Sequence, residues 1–127
     1  MTAVEIERRK PVWSALSEFY LDTELSKEEI SRIAKVFSES KFSFEELKEI
    51  NYSEVGPVVI TNLYSTAGVW NGFDKEWLFE QIIKRLNKKK GKGLLAKMFR
   101  PVYRKQIDKF CSDYWQAVTT EMKNHVV

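Results

Sequence analysis

Hydrophobic residues along this chain recur mostly at three- and four-residue spacings, the period of an amphipathic helix. Val12, Trp13, Leu16, Phe19 and Tyr20 form the first stripe. Pro11 ahead of them suits a first helical turn, where a missing N–H has no bond to lose, so the spacing predicts a helix over 11–21, with Ala3 to Arg9 adding a turn upstream. Ser26-Lys27-Glu28-Glu29 reads as a capping box, in which the Ser26 hydroxyl takes the Glu29 N–H and the Glu29 carboxylate reaches back to the Ser26 N–H. Ile30, Ile33, Ala34 and Phe37 follow at helical spacing, so a second helix is expected to end near Glu39. The device recurs at Ser43-Phe44-Glu45-Glu46, with Phe42 and Leu47 placed as a hydrophobic staple and Phe44, Leu47 and Ile50 as the apolar face of a short third helix.

The run Val55 to Ile60 has no decisive period, because a short β-branched stretch fits a strand or a buried helix. A lone strand would have no sheet to join, which favours a helix from Pro57 to Ser65 with Pro57 at its first position. Ala67 to Phe73 carries two glycines and no period, and reads as an ordered loop. Asp74 then caps a fifth helix lined by Trp77, Leu78 and Ile82, or Phe79 and Ile83, together with Leu86. Lys88 to Gly93 combines like-charge repulsion with two glycines, a basic hinge. Beyond it Pro101 either begins the last helix or kinks a longer one, whose stripe is Ile107, Phe110, Cys111, Tyr114, Trp115, Val118 and Met122. The pattern as a whole predicts an all-α single domain over residues 1–127, a bundle of five to six helices with a long C-terminal helix and a hinge at 88–93.

Composition supports that reading. With 127 residues, 43% hydrophobic, the chain is too short for two ordinary domains and apolar enough to build one core without disulfides or metal. No apolar stretch approaches the roughly 20 residues a membrane helix needs. Residues 1–11 carry charges without a following apolar region, unlike a secretory signal, and a solitary Cys111 fits a reducing cytoplasm.

Charge changes the picture more. The formal net charge is +3, but residues 17–83 hold thirteen acids against six bases, whereas residues 84–127 hold twelve bases against three acids. Such a dipolar chain can offer an acidic surface to a basic partner or a basic one to an anion.

Candidate chemistry is sparse. His125, the sole histidine, sits beside a terminus and Cys111 lies on an apolar stripe, so no nucleophile–base pair and no His/Cys zinc site is expected. Glu28/Glu29 and Glu45/Glu46 are adjacent on helices and point about 100° apart, which suits capping rather than paired carboxylate catalysis. No cofactor fingerprint is present, and catalysis is not expected. The tract from Lys84 to Lys105, with Phe99 and Tyr103 interleaved, could neutralise phosphates and stack a base, which makes a helical nucleic-acid-binding or regulatory protein the alternative function. On the acidic side, Glu54, Asp74, Glu76 and Glu80 flank the aromatic loop around Tyr64, Trp70 and Phe73, an arrangement suited to capturing a basic protein with an aromatic anchor.

Several stretches together resemble a small all-α bacterial family. They are Pro11-Val12-Trp13-Ser14-Ala15-Leu16-Ser17-Glu18-Phe19-Tyr20-Leu21-Asp22-Thr23-Glu24-Leu25, then Glu54-Val55-Gly56-Pro57-Val58 with Asn62-Leu63, then Ala67-Gly68-Val69-Trp70-Asn71-Gly72-Phe73-Asp74 followed by Glu76-Trp77-Leu78. Some members look like immunity proteins of contact-dependent growth inhibition systems, and the resemblance covers roughly residues 8 to 83. It implies a cytoplasmic, non-enzymatic protein that binds a toxin C-terminal domain from sister cells and covers its active site or substrate groove. Many such toxins are nucleases, RNases among them, whose substrate surfaces must be basic. The residues expected to meet the toxin are Asp22, Glu24, Glu54, Asp74 and Glu76, with Trp70 as anchor.

Overall fold

A computed structural model describes residues 2–21, 24–65, 74–88 and 93–125, with the side chains of all these except 62–65, 88, 93–103 and 124–125. Six α-helices carry the described chain: α1 Ala3–Ser17, α2 Lys27–Ser40, α3 Phe44–Ile50, α4 Gly56–Ser65, α5 Lys75–Lys88 and α6 Gly93–His125. A 3-10 turn, Glu18–Tyr20, extends α1, and a π-helical turn, Asn51–Val55, joins α3 to α4. The all-α class and the long last helix are those the hydrophobic pattern predicts, and the longest interface is that of α6 with α2.

Helix α1 begins at Ala3, eight residues before Pro11, where the spacing places the main helix. Thr2 caps it, accepting the Glu5 N–H, and Glu5 accepts from the Thr2 N–H in return, so Thr2-Ala3-Val4-Glu5 is a complete capping box and Pro11 lies in the helix interior. Pro11 deprives the Glu7 carbonyl of its usual N–H, but both residues are exposed, so water can take that bond. At α2, Ser26 accepts the Glu29 N–H as expected, while the Glu29 carboxylate takes the Ser26 hydroxyl rather than its backbone N–H. Lys41 ends this helix in the left-handed region, φ 64°, a conformation that favours glycine. The capping box of α3 forms in full, and its hydrogen bonds hold the Glu46 carboxyl below its ordinary range.

The segment expected to start at Pro57 has no free N-terminus. Helices α3 and α4 form one continuous rod, and Gly56 donates its N–H five residues back to the Asn51 carbonyl. Two physical reasons account for the widened turn. Proline at position 57 has no N–H for the Ser53 carbonyl and its ring would crowd it. The inward stripe also changes register: Leu47, Ile50, Asn51 and Glu54 are buried, and a regular helix would next bury Val58 and Thr61. Instead Val55, Val59 and Ile60 are buried and Thr61 is exposed, so the π turn moves the stripe by one residue onto the apolar side chains.

The core joins Trp13, Leu16, Phe19 and Tyr20 to Ile33 and Phe37 of α2, Leu47 of α3, Ile60 of α4, Leu78 and Ile82 of α5, and Ile107, Trp115 and Val118 of α6. Trp115 is its aromatic hub, packing edge-on to Phe19 at 5.3 Å and Phe44 at 5.5 Å and stacking on Phe37 at 5.7 Å. Two stripe positions differ from expectation. Phe44 and Phe110 each keep 39% of their surface exposed, because they flank rather than fill the core, against Trp115 and Tyr20 respectively. Pro101 falls within α6, so the longer-helix alternative holds, and residues 89–92 of the expected hinge lie outside the described residues.

Candidate functional site

The expected binding residues come to lie in three different settings. Glu24 is exposed on the connection ahead of α2. Asp74 and Glu76 are exposed at the start of α5, where the Asp74 carboxylate accepts the Glu76 N–H at 3.0 Å and the Asp74 carbonyl accepts the Leu78 N–H at 2.9 Å. Asp74 therefore both caps the helix and contributes negative charge at its surface. Glu80 stands one turn further along and pairs with Lys84 at 3.5 Å. Asp22 and Trp70, the proposed anchor, lie outside the described residues.

Glu54 corrects the expectation that it borders this surface. It is 8% exposed, and its Oε1 accepts the Trp13 indole N–H at 2.7 Å, with the Arg9 Nε 3.9 Å away. The cause is its position on the rod: seven residues after Leu47 and four after Ile50, it falls on their inward face, where α1 packs. That spacing was visible in the sequence as two helical turns from a leucine. The pairing with Trp13, 41 residues away, was not.

A second buried polar group follows the same rod. Tyr20 donates its hydroxyl to Asn51 Oδ1 at 2.7 Å, and the Asn51 amide faces Cys111 Sγ at 3.5 Å. Burial is the main cause that lifts the Tyr20 hydroxyl well above its ordinary value and pushes the Cys111 thiol up to about 11. A thiol so placed stays protonated at neutral pH and is a poor nucleophile. Its neighbours are core, not substrate: Tyr20, Asn51 and Cys111 are all at most 1% exposed.

The basic tract presents fewer described side chains. Lys84 and Lys105 are exposed, Arg85 is half-buried, and the Arg104 guanidinium lies 4.4 Å over the Tyr52 ring, whose hydroxyl donates to Asp108. Among the described residues no group of three His, Cys, Asp or Glu side chains could hold a metal ion, and no helix is long and apolar enough to cross a membrane.

The model of a family described as a domain of unknown function, DUF7079, matches residues 7–121. The chain belongs to the DUF7079 family. That span reaches from the second turn of α1 almost to the end of α6, so the DUF7079 unit includes the basic C-terminal segment that the resemblance over residues 8 to 83 left out. No curated protein and no solved structure matches the chain. For DUF7079 the arrangement thus consists of a sealed aromatic core pinned by two buried polar groups, with exposed acids on α2, α3 and the start of α5.

Proposed function

We propose that this protein is a non-catalytic, cytoplasmic binding protein that neutralises a basic toxin domain, of the nuclease kind, in a contact-dependent growth inhibition system. The observation that carries the reading is the exposure of acids throughout the first two-thirds of the fold. Glu24, Glu28, Glu39, Glu45, Asp74 and Glu76 are all solvent-exposed, while Glu54 alone among the acids of this region is buried within the described residues. Carboxylates spread over a rigid helical scaffold match a phosphate-binding groove in sign and steer a basic partner toward docking. The buried, protonated state of Cys111 supports a non-enzymatic role.

The experiment is a titration of the purified protein against any C-terminal toxin domain found encoded next to its gene, and in parallel against RNA, at two salt concentrations. Toxin binding that weakens with salt, together with loss of nuclease activity in the mixture, is the expected result. Tight RNA binding without toxin binding would overturn it in favour of a nucleic-acid-binding protein using the lysine-rich segment.

A further inference from the structure

A groove of about 500 Å³, within the size range of small-molecule sites, runs between α1 and the C-terminal half of α2 over an apolar floor of Pro11 and Val36. Its polar lining divides into groups already held and groups to spare. The Glu7 carboxylate takes the Lys10 ammonium at 2.7 Å, and the Arg8 guanidinium donates to the Ser40 carbonyl at 3.2 Å while lying 4.0 Å over the Phe42 ring. Both are satisfied within the fold. To spare are the Glu39 carboxylate and the Lys41 ammonium, exposed and in no ion pair among the described residues. A third is the Glu7 carbonyl, which Pro11 deprives of its helical N–H.

One anion, one cation and one carbonyl acceptor thus stand around an apolar floor. Their charges cancel, so the groove exerts no long-range pull on a polyanion or on a basic protein face. What it complements is a small molecule that carries both charges itself. An α-ammonium group can donate to the Glu39 carboxylate and to the Glu7 carbonyl together, while the carboxylate of the same molecule accepts from Lys41 and its aliphatic part covers Pro11 and Val36. Lys41 adds an independent observation. It ends α2 in the left-handed region, φ 64°, where glycine is less strained, so the backbone role alone does not account for a lysine.

We infer that the groove between α1 and α2 binds a small zwitterion with an apolar body, a free aliphatic amino acid or a short apolar peptide, through Glu39, Lys41 and the Glu7 carbonyl. The inference does not rest on toxin binding and can fail without it. Heteronuclear NMR titration of the full chain with leucine, and separately with leucyl-leucine, up to about 50 mM covers the millimolar affinity that so few heavy atoms allow. Saturable shifts at Glu7, Val36 and Lys41 are expected, and the tighter of the two ligands names the source. Isopentylamine, which lacks the carboxylate, and isocaproate, which lacks the ammonium, should each bind about tenfold more weakly than leucine. Lys41→Gln should bring leucine down to the level of the amine, and Glu39→Gln should bring it down to the level of the acid. Lys41→Gln should leave the amine within about twofold of its original affinity and Glu39→Gln the acid, a crossed pattern that a folding defect does not give. Pro11→Ala returns an N–H to the Glu7 carbonyl, so it should raise the thermal midpoint and weaken leucine about threefold. Absence of saturable shifts in the groove with both zwitterions would overturn the inference. So would an amine and an acid that bind as tightly as leucine, an equal loss of both in either glutamine variant, or leucine binding indifferent to Pro11→Ala.

Discussion

Trp13 and Glu54, 41 residues apart, are joined inside the core by a 2.7 Å hydrogen bond from the indole N–H to a carboxylate that is almost wholly withdrawn from water. This bond ties α1 to the π turn, and Arg9 supplies the nearby positive charge. A carboxylate in such a place is tolerated because it is paired and hydrogen-bonded, and removing either partner leaves a polar atom stranded.

Replacing Glu54 should accordingly test structure rather than binding. Glu54→Ala is expected to destabilise by about 3–5 kcal/mol, and Glu54→Gln by less, since the amide oxygen can still accept from Trp13. Urea unfolding measures both. A cost under about 0.5 kcal/mol for Glu54→Ala, the size seen at ordinary surface sites, would contradict the buried role.

Gly56 should resist substitution for a reason particular to the rod. A Cβ there would meet the Ile107 side chain and lie 2.7 Å from the Asn51 carbonyl oxygen. The isoleucine end can move, but the backbone oxygen belongs to the π turn. Gly56→Ala is therefore expected to cost about 1–3 kcal/mol through overpacking, despite alanine's better helix propensity. Thermal melts decide the sign: stabilisation would mean that the rod can separate from α6 freely.

Trp115 packs against Phe19, Phe37 and Phe44 and is 7% exposed. Its truncation to alanine should cost about 3–5 kcal/mol. Phe110→Ala, at a flanking position, should cost markedly less, so the two melting temperatures should separate clearly.

Alkaline pH should expose the second polar group. The Cys111 thiol, ordinarily near 9, is raised to about 11 by burial, so between those values the unfolded chain releases a proton that the folded chain keeps. Unfolding is then favoured as pH rises: the stabilising contribution is complete below about pH 9 and is lost through about pH 11, at most about 2–3 kcal/mol. Cys111→Ala should flatten that part of the stability profile, leaving the Tyr20 share, whose hydroxyl is raised in the same direction. At pH 8 a thiol reagent should label the native protein slowly and the unfolded protein fast.

The acids at the start of α5 give the functional prediction. Asp74→Lys/Glu76→Lys should slow association with a basic toxin domain and reduce the salt sensitivity of what remains, while charge reversal over Lys88 to Lys90 should do little. Stopped-flow association rates at two salt concentrations provide the comparison, and the opposite pattern would move the binding surface to the lysine-rich segment. Asp74→Asn serves as control, because asparagine also caps the helix.

How much of this was legible along the chain follows the range of the forces involved. The caps at Ser26, Ser43 and Asp74 are local devices, complete within four residues, and the apolar stripes of α2, α5 and α6 report directly which faces must leave water. Residue pattern alone therefore determined an all-α bundle, its long last helix, and the buried place of Cys111 among aromatics. Even the start of α1 was written locally in Thr2 and Glu5, although the proline at 11 is the more conspicuous signal. Tertiary structure alone decided that Glu54 turns inward to Trp13, that a π turn lets a proline-containing rod keep its apolar side chains inside, and that Gly56 leaves room for Ile107. Each of these depends on what another helix presents at the same depth, and an acid at a helical position reads the same along the chain whether a solvent molecule or an indole N–H stands opposite it.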